Sequence, residues 1–394
     1  MRVPTWFALS ADSKRPPMNT EERRVAGKML SAFIRVHLWL ILFFVALTVL
    51  SAESRWKIQF LYDRADSNFA IEDLQCPTSQ HCVAAGLIDD KKGREQGAVV
   101  VTSDGGLHWS QSEVKERPVS LFFLNDSQGW MVTDRGLWST VEGGRSWIKA
   151  QSRKGILQAC FLDANHGYIA GLKGLVQETT DGGKTWVKLD ASEKVPDAQL
   201  LNYDIISFQG NRGIIIGAPD SSSPASVYPT LGLPPGGKIT LLQTLDGGKK
   251  WASSTIQMDG ELAQLRLSNQ GFLVSLILYS DPKYPVASAV FKTPLGSSSG
   301  RLIFAERDRA ATDVALLSSG GAVLVTIEPP GNSTQVPIPG KLKILQSANL
   351  TVWQEMDVDY RAVAQRAVIA APDAQHMWVA TDTGAILTLD AGKP

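Results

Sequence analysis

Thr179-Thr-Asp-Gly-Gly-Lys-Thr-Trp186 is the stretch that decides the fold, because three further copies of it lie in the same chain. The other copies align with it without gaps: Thr102-Ser-Asp-Gly-Gly-Leu-His-Trp109, Thr140-Val-Glu-Gly-Gly-Arg-Ser-Trp147 and Thr244-Leu-Asp-Gly-Gly-Lys-Lys-Trp251. Glu142 follows Asp104 by 38 residues, and Asp181 follows Glu142 by 39. This period is the length of a four-stranded propeller blade and not of a helical repeat.

The repeated motif has a structural logic. An Asp at the mouth of a hairpin accepts hydrogen bonds from turn amides, the Gly pair tolerates positive φ angles, and the Trp packs back between blades. We therefore expect structural roles for the acidic residue and the Trp of each copy: Asp104, Trp109, Glu142, Trp147, Asp181, Trp186, Asp246 and Trp251. We do not expect catalytic aspartates among them.

Degenerate copies extend the repeat to the end of the chain. They are Thr293 to Gly300, Ser347 to Trp353 and Thr388 to Gly392, which brings the count to seven. The last copy stops before its Trp, and Arg55 to Phe60 supplies a Trp in an alternating strand at the other end. We expect this strand to pair with residues 384–389 and close the ring. The sequence predicts an all-β, seven-bladed β-propeller with Asp-box turns over residues 53–394, preceded by an N-terminal transmembrane or signal helix.

The N-terminal part of the chain is basic and then apolar. Residues 1–35 carry seven Lys/Arg and three acids, and Val36 to Leu50 is an apolar run whose only ionisable member is His37. This pattern predicts a cytoplasmic head (1–32), a transmembrane helix or signal anchor (33–52) and a propeller on the extracytoplasmic side, periplasmic or lumenal, of a single-pass membrane protein. The alternative is a signal peptide cleaved after the small residues Ser51 and Ala52.

Cysteine usage fits an oxidising compartment. Cys76 and Cys82 bracket five residues, a spacing that a tight hairpin could bring to disulfide distance, although two buried thiols remain the alternative. Cys160 lies in an apolar run and is expected to be a free core thiol. His81 beside Cys82 lacks further ligands for a metal site.

Charge and motif content exclude several classes of function. The 394 residues hold 39 Lys+Arg and 39 Asp+Glu, so there is no basic excess of the kind expected of a nucleic-acid binder. The sequence has no Gly-rich phosphate loop, His-based triad or metal-ligand spacing. We predict no cofactor, no metal and no nucleic-acid partner, and we expect a monomer.

Asn165-His-Gly-Tyr-Ile-Ala-Gly171, followed by Gly174 to Trp186, resembles the Asp-box (BNR) propellers of the photosystem II stability and assembly factor family. The resemblance spans residues 55–394 and fades after Trp251. It implies a non-enzymatic role in photosynthesis: a propeller that holds a newly made membrane-protein subunit through an arginine patch on one face. It also implies a loop insertion in mid-ring, and Ala218 to Gly237 is such an insertion, either a lid or a flexible excursion.

The expected binding surface is the rim opposite the Asp boxes. The boxes lie between the third and fourth strands of each blade, so the other rim contains the loops from second to third strands and from one blade to the next. Seven cations in those loops are candidate partners for carboxylates or peptide carbonyls: Arg117, Arg135, Arg153, Lys154, Lys173, Arg309 and Arg361.

The alternative function is an extracytoplasmic glycoside hydrolase or sialidase-like enzyme. A sialidase-like site requires three convergent arginines and a Tyr nucleophile, and Tyr62 to Ser67 shows no matching signature. Paired acids of a glycoside hydrolase cannot be recognised across strands from the sequence. We therefore predict a client-binding scaffold with no catalytic residues.

Overall fold

The computed structural model describes residues 55–219, 237–281, 283–297, 299–328 and 339–390, which form an all-β propeller. Five antiparallel four-stranded sheets, here called blades I to V, follow one another along the chain. Blade I is β2 (Ser67–Gln75), β3 (Cys82–Asp90), β4 (Glu95–Thr102) and β5 (Ser110–Val114). Blade II is β6 (Pro118–Phe123), β7 (Gly129–Thr133), β8 (Gly136–Thr140) and β9 (Ile148–Gln151). Blade III is β10 (Ile156–Phe161), β11 (Gly167–Gly171), β12 (Val176–Thr179) and β13 (Val187–Lys188).

Blades IV and V follow a connection that holds helix α1 (Asp190–Glu193) and a 3₁₀ turn (Ala198–Leu200). Blade IV is β14 (Leu201–Gln209), β15 (Arg212–Pro219), β16 (Gly237–Thr244) and β17 (Ala252–Met258). Blade V is β18 (Glu261–Leu267), β19 (Phe272–Leu278), β20 (Ser288–Pro294) and β21 (Arg301–Phe304). The other strands are β1 (Arg55–Leu61), β22 (Ala310–Leu316), β23 (Ala322–Ile327), β24 (Gly340–Ser347), β25 (Gln354–Val358), β26 (Val363–Ala364), β27 (Ala367–Ala370), β28 (Trp378–Thr381) and β29 (Ala385–Asp390).

The predicted count of seven blades is wrong. Five blades form separate four-stranded sheets, and the remaining strands are hydrogen-bonded into one nine-stranded sheet in the order β22-β23-β24-β25-β1-β29-β28-β27, with β26 paired to β24. The nine-stranded sheet forms because β1 pairs with two strands. It pairs antiparallel with β29 and parallel with the end of β25, where Arg55 lies opposite Asp357 and Trp56 opposite Val358. The sequence repeat could not predict this second pairing.

The predictions for residues 1–54 fall outside the described residues, and so does the greater part of the insertion, 220–236. The location as a single-pass membrane protein is corrected: no helix within the described ranges has the length and apolar character needed to cross a bilayer. The segment on which that prediction rested, 33–52, is not among them.

The core lies between neighbouring sheets and not within any one of them. Buried side chains of blades I and II share one cluster, those of II and III the next, and the series continues around the ring. The final cluster joins Val368, Trp378 and Ile386 of the nine-stranded sheet to Phe69 and Ile71 of blade I. A blade that is covered on both faces needs apolar residues at successive positions, which is why Gly129–Thr133 is buried throughout.

Ring closure by the first described strand is confirmed. β1 pairs with β29 from Arg55 opposite Asp390 to Leu61 opposite Ala385, so the N-terminal strand completes a sheet whose other members come from the C-terminal end. Trp56 is completely buried in the cluster between β22–β25 and β27–β29. The pairing removes a strand edge that would otherwise be open.

Each regular Asp box is a closed set of turn hydrogen bonds. In the third copy the Thr179 hydroxyl donates to Asp181 Oδ1 (2.8 Å) and accepts from Gly183 N–H (2.9 Å). Asp181 Oδ1 also accepts from Thr185 N–H at 2.9 Å. Gly182 and Gly183 have φ of 76° and 90°, a region that L-residues with a side chain rarely occupy. The hydroxyl and the backbone N–H of Thr185, which both donate to the ionised carboxylate, hold the pKa of Asp181 at about 2.

The boxes also fasten the turn between the first two strands of each blade. Gly182 N–H donates to Asn165 O at 2.8 Å, and the first Gly of each of the other regular copies makes the same contact with Gln80, Ser127 or Asn211. The Trp of each copy packs edge-on or tilted against an aromatic ring, as Trp186 does on Phe161 at 6.1 Å. Ser347 and Asn349 form a shortened box in which Leu350 takes φ of 61°.

Replacing Thr179 by Val should lower the free energy of unfolding by about 1–3 kcal/mol, because the buried Gly183 N–H loses its acceptor while side-chain volume is kept. Urea unfolding measures the change. The matched control is Thr180→Val, since Thr180 is exposed and next in sequence. Equal stabilities of the two variants would contradict a structural role for the box.

Replacing Trp56 by Ala should lower the free energy of unfolding by about 3–5 kcal/mol, because it empties the buried site where β1 closes the ring. Leu61→Ala at the exposed end of the same strand is the control and should change stability by less than about 0.5 kcal/mol. A Trp56→Ala protein as stable as the control would show that β1 does not hold the ring closed.

Candidate functional site

The rim opposite the Asp boxes, here called the loop rim, is built from two kinds of loop that bind each other. In blade II, Asp134 N–H donates to Arg117 O, and Arg117 N–H donates to Asp134 Oδ1, both at 3.0 Å. The loop that enters a blade therefore lies against the loop between its second and third strands. This arrangement brings the seven cations predicted from the sequence to one side of the propeller.

Four of those cations have acidic neighbours within the chain. Arg309 lies between Glu306 (2.8 Å) and Glu355 (3.2 Å), and only 13% of its side chain is exposed. Arg361 pairs with Asp359 at 2.7 Å, and these bonds hold the pKa of Asp359 at about 2. The other two pairs are longer, 3.5 Å each: Arg117 with Glu72 and Arg135 with Asp134. Intramolecular pairing reduces the charge that these residues offer to a ligand.

The other three cations are exposed, and no described residue pairs with their side chains. They are Arg153 and Lys154, in the loop between β9 and β10, and Lys173, in the loop between β11 and β12. Two leucines are exposed beside them, Leu172 by 41% and Leu200 by 60%. We call these five residues the basic–apolar patch.

Backbone contacts hold the three loops of the basic–apolar patch together. Leu172 N–H donates to Gly155 O at 2.8 Å, which joins the loop of Lys173 to the loop of Arg153 and Lys154. Lys173 N–H donates to Asn202 Oδ1 at 3.1 Å, and Gly174 N–H donates to Leu201 O at 2.7 Å. The patch therefore sits on a connected frame, which limits the entropy lost when a ligand binds.

The sequence reading missed the leucines of this patch. Leu172 stands between Gly171 and Lys173-Gly174, so it lies in a turn where no core position requires an apolar side chain. An apolar residue in such a turn was a signal, present in the sequence, of a candidate binding surface. Leu200 ends the 3₁₀ turn before β14, and nothing in the sequence places it beside Lys173.

A cavity of about 1180 Å³ runs along the first strands of the sheets, which makes it the central channel. Its wall is polar as well as apolar, and most of its charged groups are paired. Arg366 donates to Glu72 Oε2 (3.2 Å) and Glu72 O (2.9 Å), and Arg266 donates to Asp313 Oδ1 (3.1 Å). Burial raises the pKa of Glu72 above its usual range despite the neighbouring arginines.

The three cysteines lie away from the loop-rim patch. Cys76 and Cys82 form a disulfide across the turn between β2 and β3, with Cα atoms 4.1 Å apart. Cys160 is a buried free thiol in β10, and burial raises its pKa to about 12. A thiol with so high a pKa is protonated and unreactive at neutral pH.

Comparisons with known proteins agree with this architecture. The family described as photosynthesis system II assembly factor YCF48 matches residues 148–221, the range that contains the whole basic–apolar patch. No curated protein matches the chain in sequence.

Solved propellers match over nearly the whole described ring. "YCF48 bound to D1 peptide" is 16% identical with a TM-score of 0.58, and the match covers 86% of this chain and 97% of that one. YCF48 from Cyanidioschyzon merolae is 14% identical with a TM-score of 0.55, covering 85% and 98%. The WD40 propeller domain of Doa1 is 11% identical with a TM-score of 0.53, covering 86% and 97%. At these identities the likeness shows the fold alone.

The family match adds a likeness in sequence to this likeness of fold, over residues 148–221. The chain is thus a β-propeller with Asp-box turns, and over residues 148–221 it is similar to the photosynthesis system II assembly factor YCF48 family.

Proposed function

We propose that this propeller is a non-enzymatic scaffold that binds an extended segment of a membrane-protein client at the basic–apolar patch. The single observation that carries the proposal is the cluster of three cations, Arg153, Lys154 and Lys173, with which no acid of the described ring pairs, beside the exposed Leu172 and Leu200. Unpaired cations bind carboxylates or peptide carbonyls, and exposed leucines bind apolar side chains. The fitting ligand is a polypeptide segment that carries both kinds of group.

The proposal draws its client class from the likeness to YCF48, one structure of which contains a D1 peptide. It draws its location from the family match, since residues 148–221 include all five members of the patch. The ion-paired arginines, Arg117, Arg309 and Arg361, are assigned a structural role. Arg117 reaches Glu72 in β2, Arg309 reaches Glu355 in β25, and Arg361 pairs with Asp359 in its own loop. Freeing these arginines for a ligand would leave their acidic partners unpaired.

The absence of a catalytic role for the box acids also has a physical basis. Asp104 and Asp181 each accept several hydrogen bonds from their own turn, which hold both pKa values at about 2. A carboxylate so strongly stabilised in its ionised form is a poor proton acceptor at neutral pH. The boxes are therefore assigned to fold maintenance.

Reversing the charge of the patch should weaken client binding without unfolding the ring. We expect Arg153→Glu/Lys154→Glu to raise the dissociation constant for a labelled D1 peptide at least about tenfold, because two favourable charges become repulsive. Fluorescence anisotropy with the full chain measures it, at about 50 mM and about 300 mM salt. Binding by the parent should weaken with salt, since exposed charges are screened.

The matched control carries the same change of net charge on the opposite rim. Lys184→Glu/Lys249→Glu reverses two exposed lysines in box turns and should leave the dissociation constant within about twofold. Loss of binding in this control, with the patch variant unaffected, would move the site to the other rim. A parent protein that does not bind the peptide at all would contradict the client class.

A further inference from the structure

The inner wall of the propeller is held by side chains that reach from one first strand to the next. In each of the blades I to V and in β22, a β-bulge interrupts the pairing of the first strand with the second. The bulge turns the next residue toward the neighbouring strand. Asp73, Ser120, Gln158, Ile205, Gln264 and Asp313 follow the bulges.

Four of these residues bond directly to the backbone of the next inner strand. The acceptors are Asp73 Oδ2 for Leu121 N–H (2.7 Å), Gln158 Oε1 for Ile206 N–H (2.9 Å) and Asp313 Oδ2 for Ile369 N–H (3.0 Å), and Ser120 Oγ donates to Leu157 O (2.8 Å). Between β18 and β22 the bond comes from Arg266, which donates to Val314 O at 3.2 Å. Arg366, directly before β27, donates to Glu72 O of β2 at 2.9 Å and so completes this series of bonds around the inner wall.

The joint between β14 and β18 is built differently. The residue that follows the bulge in β14 is Ile205, whose hydrocarbon side chain cannot form the bridging bond. The bulge residue itself is Asp204, which lines the channel together with Glu261 of β18. Two carboxyl groups therefore face this joint, where the other joints have a bridging hydrogen bond.

Among the described residues, no cation compensates the charge of Asp204. Its own backbone amide is its hydrogen-bond donor, and no described residue supplies a cation to it. Asp204 lines the channel and is half-buried. This burial, together with the nearby charge of Glu261, raises the pKa of Asp204 to about 7.

The ionisable groups on the packed strands do not offset that effect. On β18, Arg266 is bound to Asp313, and on β11, Tyr168 is bound to Glu178 and His166. Arg212 lies at the far end of β15, opposite Gln209. β10 contributes the Cys160 thiol, which is neutral because burial raises its pKa to about 12. Glu261 is thus the charged group that acts on Asp204.

We infer that the joint between β14 and β18 is a proton-controlled joint of the ring, closed when Asp204 is neutral and weakened when Asp204 ionises beside Glu261. Neutral Asp204 removes charge repulsion from the channel wall and allows Ile205 and its apolar neighbours to hold the two strands together. Ionised Asp204 places two like charges in a wall of low dielectric. The bridging hydrogen bonds at the other joints are unaffected when Asp204 ionises.

The sign of the pH dependence follows from the raised pKa. A carboxyl with a higher pKa in the folded state than in the unfolded state binds more protons when folded, so it lowers stability as pH rises from about 4 to about 7. Asp204→Asn keeps the shape and removes the titration. Asp89→Asn is the matched control, because the Asp89 side chain is exposed and makes no hydrogen bond or ion pair with the described residues.

The test is urea unfolding of the full-length parent and both variants between pH 4.5 and pH 8.5, combined with hydrogen exchange at about pH 5.5 and about pH 8. We expect the unfolding equilibrium constant of the parent to rise at least about tenfold relative to Asp204→Asn across this range, and the Asp89→Asn profile to follow the parent. At the higher pH, β14 and β18 amides should exchange faster in the parent than in Asp204→Asn, while β2 and β6 amides remain equal.

Parallel stability profiles of the parent and Asp204→Asn would overturn the inference. So would equal exchange in β14 and β18. If Asp204→Asn does not fold, the carbon shift of the Asp204 carboxyl in the parent decides the question by NMR. A titration midpoint near 7 supports the joint, and a midpoint near 4, the ordinary value for Asp, overturns it.

Discussion

Antiparallel pairing of β1 with β29 is the interaction on which the rest of the structure depends. It joins the first described strand to the last, and it places Trp56 in the cluster between β22–β25 and β27–β29. Each core cluster is shared by neighbouring sheets, so no sheet can bury its faces alone. An open ring would expose both a strand edge and the face of blade I, and would cost stability at every joint.

The two rims of the ring use their polar groups differently. On the box rim, hydroxyl, carboxylate and glycine amides satisfy one another and tie each turn to the turn beside it. On the loop rim, the connections carry charges, some of which are paired with acids of the ring. Arg153, Lys154 and Lys173 keep their charge available there because no described acid reaches them. A rigid frame with a few unpaired groups at its edge suits the recognition of an extended chain.

Local residue patterns predicted the box turns and the ring closure. The number of separate blades and the pairing of the rim cations depend on contacts between residues far apart in the chain, which the sequence alone did not reveal. The box residues from Thr179 to Trp186 specify their own turn, and the alternating strand at Arg55 predicted closure. The second pairing of β1, with β25, joins Arg55 to Asp357, which are far apart in the chain, and it made the count of seven separate blades wrong. Likewise, the seven rim cations look alike in sequence, yet Arg309 meets Glu355 from 46 residues away. Pairing at that distance separates structural cations from available ones, and only coordinates show it.

The most direct test of the account is a hydrogen-exchange footprint of the full chain with and without a bound client peptide. The account predicts slower exchange at Arg153 to Gly155, because a ligand on the basic–apolar patch covers a loop that is otherwise exposed. Exchange in the box turns at 104–108 and 181–185 should not change. Protection of those turns, with the patch loops unaffected, would contradict the assignment of binding to the loop rim.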